Sequence, residues 1–148
     1  MRRFDELPDI HYAKLGMGRN AHEGFNEEGS AFDSHTRVVE LAPSTRADAA
    51  PSFAKLGEEP PTHAVTIGLG DVAGARKKVG TVKGEQKAAT LKAVVEGPKT
   101  EEVPWTNLQG DPGTVIYADR AAAAALARGQ QPSRLIQALR WFEAATSK

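Results

Sequence analysis

The chain contains no cysteine. That excludes a disulfide framework, a thiolate nucleophile and a cysteine-based zinc site. It has no excess of charge either: 19 basic side chains face 19 acidic ones, so no long-range attraction to nucleic acid or to an anionic membrane is built in. Long apolar runs are absent. The longest, Ala121 to Ala127, falls far short of the ~20 residues a spanning helix needs. The N-terminal Met-Arg-Arg-Phe-Asp-Glu lacks the apolar centre of a signal peptide. Large apolar side chains are also scarce: Leu, Ile, Val and Phe number 29 against 24 alanines. Burying a Leu yields ~1.5–3 kcal/mol and an Ala much less, so the core is expected to be thin. These absences point to a soluble, cytoplasmic, globular protein with no nucleic-acid or membrane partner. Its 148 residues suit one domain and are too few for two.

What is present is unevenly spread. Residues 1–60 hold seven bases and eleven acids, and residues 61–148 hold twelve and eight. The mildly basic second half suits a small anionic ligand such as a phosphate ester, and equally a set of solvated helix faces.

Asp9–Leu15 alternates apolar and polar residues and predicts a strand, closed by Gly16-Met-Gly18. Residues 19–36 read as a long polar loop and Arg37–Leu41 as a short strand. Pro43 opens an Ala-rich helix expected to break at Pro51. Thr62–Ile67 is the best strand pattern, followed by Gly68-Leu-Gly70, with Asp71 expected to cap a short helix over Val72–Lys77. Lys78–Val82 is a poor strand with a glycine inside it. Glu85–Glu96 repeats apolar residues at helical spacing, Pro104–Gln109 reads as a helical turn and Thr114–Tyr117 as a strand. Asp119 is expected to cap a helix ending near Gly129. A last helix is expected over 132–146, with Leu135, Leu139 and Phe142 on one face. Strands alternating with helices predict an α/β fold with a mainly parallel sheet flanked by helices, strands 10–15, 64–67, 79–82 and 115–117 included. The ligand should sit where loops leave the carboxyl ends of the strands.

Gly16-Met-Gly-Arg-Asn-Ala21 matches the dinucleotide fingerprint in form. The polar, Gly-rich stretch after it is unsuited to the helix that the fingerprint requires. What survives is exposed backbone at a strand end. His22 and Glu27 share the next loop with Asn20, Asn26 and Glu28. A histidine oriented by a carboxylate moves protons near neutral pH, and a polar surface loop carries the same residue types. No two histidines have the close spacing of a metal site, so no metal is expected. Gly84-Glu-Gln-Lys87 lies between a strand and a helix. First-turn amides with Lys87 could hold a phosphate, or Lys87 is a plain exposed lysine.

These motifs, taken in order, resemble the C-terminal portion of the glucosamine-6-phosphate deaminase (isomerase) family, related to the 6-phosphogluconolactonases. The markers are Leu15-Gly-Met-Gly-Arg-Asn-Ala-His-Glu-Gly-Phe-Asn-Glu-Glu-Gly-Ser30, Ser34-His-Thr-Arg-Val-Val39, Thr62–Gly70, Gly84-Glu-Gln-Lys-Ala88, Val95-Glu-Gly97, Leu108-Gln109 and Val115-Ile116 before Asp119. They cover about residues 8–126, within one partial isomerase-like, Rossmann-like domain spanning 1–148. The Phe25-Asn-Glu27 run favours the deaminase branch over the lactonases.

The resemblance implies conversion of glucosamine 6-phosphate to fructose 6-phosphate and ammonia, in amino-sugar metabolism, without metal or other cofactor. It implies His22 as the ring-opening acid/base, Glu27 as the carboxylate that orients it, and Asn20 where many members have Asp. It implies Gly16, Gly18 and Lys87 as substrate-binding, with Lys87 on the phosphate. The family enzyme is roughly twice this long. Its N-terminal phosphate loop and the aspartate that carries a proton between C2 and C1 have no counterpart in the sequence. Ala21 stands for a usual Gly, Glu23 for an apolar residue, Glu28 for Pro, Pro51 for a phosphate-binding Arg, Asp71 for Thr and Asp111 for His. Lys78–Val82 replaces a strongly apolar strand. A truncated copy, inactive alone, is therefore expected, partnered by a complementing N-terminal half or by copies of itself. The alternatives are a non-catalytic sugar-phosphate-binding fragment and a 6-phosphogluconolactonase-type hydrolase.

Overall fold

The computed structural model describes residues 10–127. The helix expected over 132–146 and the first residue of the first strand, Asp9, lie outside the described residues. Strand β1 (Tyr12–Gly16) pairs in parallel with β4 (Lys77–Val82), and β4 pairs in parallel with β5 (Thr114–Ala118). The order is β1-β4-β5. Helix α3 (Ala88–Glu96) connects β4 to β5, and its Leu91 and Val94 join the core formed with Val82, Ile116, Ala118, Trp105 and Leu108. The architecture is thus a mostly parallel sheet with flanking helices.

β4 has the least strand-like sequence yet occupies the centre of this sheet. Lys78, Gly80 and Val82 alternate onto its buried face. A Cβ on Gly80 would lie 2.5 Å from the Trp105 ring, so the glycine makes room for the largest core side chain. The indole nitrogen in turn donates to the Gly16 carbonyl over 3.1 Å, which ties the end of β1 to that core. Lys78 is almost fully buried. Its ammonium pairs with Asp111 at 2.9 Å and donates to the carbonyls of Ala73 and Ala75.

Four expectations need correction. The strand over 64–67 is not part of the parallel sheet: β3 (His63–Thr66) pairs antiparallel with β2 (Arg37–Glu40) in a separate ribbon. Alternation identifies a strand but not its partner. Helix α1 (Pro43–Ala54) runs through Pro51 and ends three residues later, because one missing N–H removes one intrahelical bond. Helix α2 spans Leu69–Ala73 and starts before Asp71. The Asp71 carboxylate instead accepts from His35, from Thr36 and from the Gly68 amide. After β5 the chain makes turns rather than a helix through Ala127. Asp119 does accept the Ala122 amide, but it also accepts the Gly84 amide and so fastens that segment to the loop after β4.

Candidate active site

The loop after β1 is built by backbone bonds that only certain residues permit. The Gly18 amide donates to the His22 carbonyl, and the Ala21 amide donates back to the Gly18 carbonyl. Ala21 is left at φ 60°, a left-handed conformation that costs a side-chain-bearing residue roughly 1–2 kcal/mol. A Cβ on Gly18 would fall 2.4 Å from the His22 ring, so the imidazole lies directly against the glycine. The far side of the loop is fixed to the ribbon. Thr66 accepts the Phe25 amide, the Asn26 amide side chain donates to Ile67 and Glu23 carbonyls, and Arg37 donates to the Asn26 oxygen. Glu23 and Asn26 also exchange backbone hydrogen bonds.

This framework brings Asn20, His22 and Glu27 together. The Asn20 amide donates to Glu27 Oε2 over 2.7 Å, and His22 Nδ1 lies 3.6 Å from the same oxygen. That separation is long for a hydrogen bond, and Nδ1 is buried without a partner. Catalytic hydrogen bonds are often loose until substrate tightens them. The other carboxylate oxygen, Glu27 Oε1, accepts the Thr45 hydroxyl over 2.5 Å. Burial lowers the His22 pKa below its usual value, against the opposing pull of Glu27; Lys87 lowers it further and Asp48 raises it. The imidazole is therefore held neutral near pH 7 beside a carboxylate that can stabilise its protonated form.

Lys87 ends the short helical turn Glu85–Lys87 after Gly84, whose φ of 92° suits glycine. Its field reaches His22. Its own pKa is lowered by desolvation and by repulsion from Arg19. Arg19, Asn20, His22, Ser44, Thr45 and Asp48 line a cleft of about 240 Å³, and Arg19 and Asp48 form an ion pair at it. Gly18 borders this cluster through His22, whereas Gly16 is exposed, with open space where a Cβ would lie, and only its carbonyl reaches the core by accepting from Trp105. Sequence reasoning missed Thr45, Ser44 and Asp48. The available signal was Pro43-Ser-Thr45 at a helix start, which placed a polar first turn without showing what it faced. Among the described residues, no group of three His, Asp or Glu side chains is placed to hold a metal ion.

The mostly parallel sheet flanked by helices is a fold this chain shares with a glucosamine-6-phosphate deaminase and with 6-phosphogluconolactonases of known structure. A 6-phosphogluconolactonase from Trypanosoma cruzi superposes with a TM-score of 0.61 at 19% identity, over 80% of this chain and 42% of that one, a likeness of fold alone. Within this class the chain is a homologue of the glucosamine-6-phosphate deaminases. It is 41% identical to the Streptococcus sanguinis (strain SK36) enzyme over 127 residues, 84% of this chain and 54% of the relative. It is 39% identical to that of Latilactobacillus sakei over 132 residues, 86% and 55%. A monomeric glucosamine-6-phosphate deaminase structure superposes with a TM-score of 0.76 at 33% identity, over 82% of this chain and 50% of that one. No family model matches the chain. The chain spans about half the length of the curated relatives it matches.

Proposed function

We propose that this chain supplies the ring-opening half of a glucosamine-6-phosphate deaminase site. The observation that carries the reading is His22, neutral and half-buried, 3.6 Å from a Glu27 carboxylate that Asn20 and Thr45 hold in place. Neutral His22 takes the proton from the anomeric hydroxyl of glucosamine 6-phosphate and returns it to the ring oxygen as the C1–O5 bond breaks. Glu27 favours the transient imidazolium. Lys87 provides the cation for the sugar phosphate, a point charge rather than a fork. Conversion of the open sugar to fructose 6-phosphate and ammonia also needs a base for the proton moving between C2 and C1. The carboxylate lining the cleft, Asp48, is engaged by Arg19. Full turnover therefore depends on residues beyond this set, supplied by a complementing partner segment.

The test is ammonia release from glucosamine 6-phosphate, with H22A as the control. The chain alone is expected to match its control, and addition of the complementary half of a homologous deaminase is expected to produce turnover that H22A abolishes. Turnover by the chain alone would overturn the half-site reading. Absence of both turnover and sugar-phosphate binding would overturn the deaminase reading. A lactonase is the weaker reading, because it rests on fold likeness alone.

A further inference from the structure

We propose that Thr45 is a positioning residue for the His22–Glu27 pair, and that through it helix α1 controls the orientation of the Glu27 carboxylate. This rests on the reading of His22 and Glu27 as the proton-moving pair.

Helix α1 has no fully buried side chain; Ala49, Ala50 and Phe53 are only partly covered. Polar contacts also join it to its surroundings. Arg46 reaches the Pro60 carbonyl, Asp48 pairs with Arg19, and the Thr45 hydroxyl donates to Glu27 Oε1 over 2.5 Å. Thr45 sits in the first turn of α1, where a hydroxyl ordinarily turns back to satisfy helix amides or carbonyls. Here it reaches across to a residue 18 positions earlier in the chain.

The geometry gives that bond a specific consequence. A carboxylate gripped at one oxygen rotates about its last bond, whereas one gripped at both does not. Asn20 holds Oε2 and Thr45 holds Oε1. Together they fix the plane of the carboxylate and keep Oε2 aimed at His22 Nδ1. No neighbour donates to Nδ1 or accepts from it, so the direction of Oε2 decides whether the imidazole meets a negative charge. Charge-assisted bonds of this kind are short and directional. If Thr45 is removed, Glu27 keeps one tether, the plane of its carboxylate is no longer fixed, and its pull on His22 weakens.

The test is the NMR titration of the His22 ring in the full chain, without sugar phosphate, so that it stands apart from any failure of binding or turnover. The charges acting on His22 are Glu27, Lys87 and Asp48. T45V and T45A are expected to move the His22 midpoint to lower pH by about half a unit or more, a fraction of the 1–3 units an adjacent opposite charge supplies. T45S, which keeps the hydroxyl, is expected to titrate as the wild type. In an E27Q background T45A is expected to have no further effect, which separates the Glu27 route from movement of Asp48 with the helix. T45A carries the test alone if T45V does not fold. An unchanged midpoint in T45A, a T45S midpoint displaced as far as T45A, or a T45A shift that persists in E27Q would each overturn the proposal.

Discussion

Gly18 and His22 are in van der Waals contact so close that any side chain at position 18 would occupy the imidazole's place, since a Cβ there falls 2.4 Å from the ring. The two are also joined by a backbone bond from the Gly18 amide to the His22 carbonyl. The glycine is required by the histidine rather than by a fingerprint for nucleotides.

The first prediction concerns this contact. G18A is expected to expel the His22 ring from its half-buried position. Desolvation is the largest influence lowering the His22 pKa, so expulsion returns the ring toward an ordinary titration. The His22 midpoint should therefore rise in G18A, read by NMR, with a stability loss of about 1–3 kcal/mol typical of overpacking. A midpoint unchanged or lowered would show that the ring is not seated as described.

The second prediction concerns Glu23, which is 1% exposed with neither carboxylate oxygen partnered. Burial pushes its pKa up to about 8, against the pull of Lys78. A raised carboxylate pKa means that the folded state holds a proton the unfolded state has already released. Its contribution is complete below the unfolded value near 4.5 and is lost as pH rises to about 8. Stability of the wild type should fall between those limits by urea denaturation. In E23L that decline should be smaller, and E23L should be the more stable at pH 8, by about 1–3 kcal/mol for removing an unsatisfied buried group. Equal pH dependence in the two proteins would contradict this.

The third prediction concerns Lys78 and Asp111. D111A leaves the buried ammonium with two backbone carbonyls and without its ion-pair partner. A loss of about 3 kcal/mol is expected, as when one partner of a buried pair is removed. K78M/D111A, which removes both charges, should recover most of it. A D111A protein as stable as wild type would show the pair to be incidental.

These residues also mark how far the sequence could be read. Lys78, Asp111 and Glu23 each looked like a separate departure from the family pattern. In space Lys78 pairs with Asp111, and its charge acts on Glu23. Position along the chain carries no trace of that meeting. The same holds for Gly80: a glycine weakens a strand pattern, and only the fold reveals that Trp105 fills the space it leaves. That β1, β4 and β5 run parallel was legible from strand–helix alternation, whereas their order and the antiparallel pairing of β3 were not. The meeting of His22, Glu27 and Asn20 was legible because they share one loop. Thr45 was not, because it joins them from α1.

Under the proposed function, His22 and Lys87 face one sugar phosphate. The most direct measurement is titration of glucosamine 6-phosphate into the labelled chain while following the His22 ring signals. Saturable movement of those signals is expected at millimolar sugar phosphate, with ~1 mM corresponding to about 4 kcal/mol of binding. The movement is expected to be lost in K87A and not to be reproduced by glucosamine. His22 signals that do not move with glucosamine 6-phosphate, or that move equally in K87A, would contradict it.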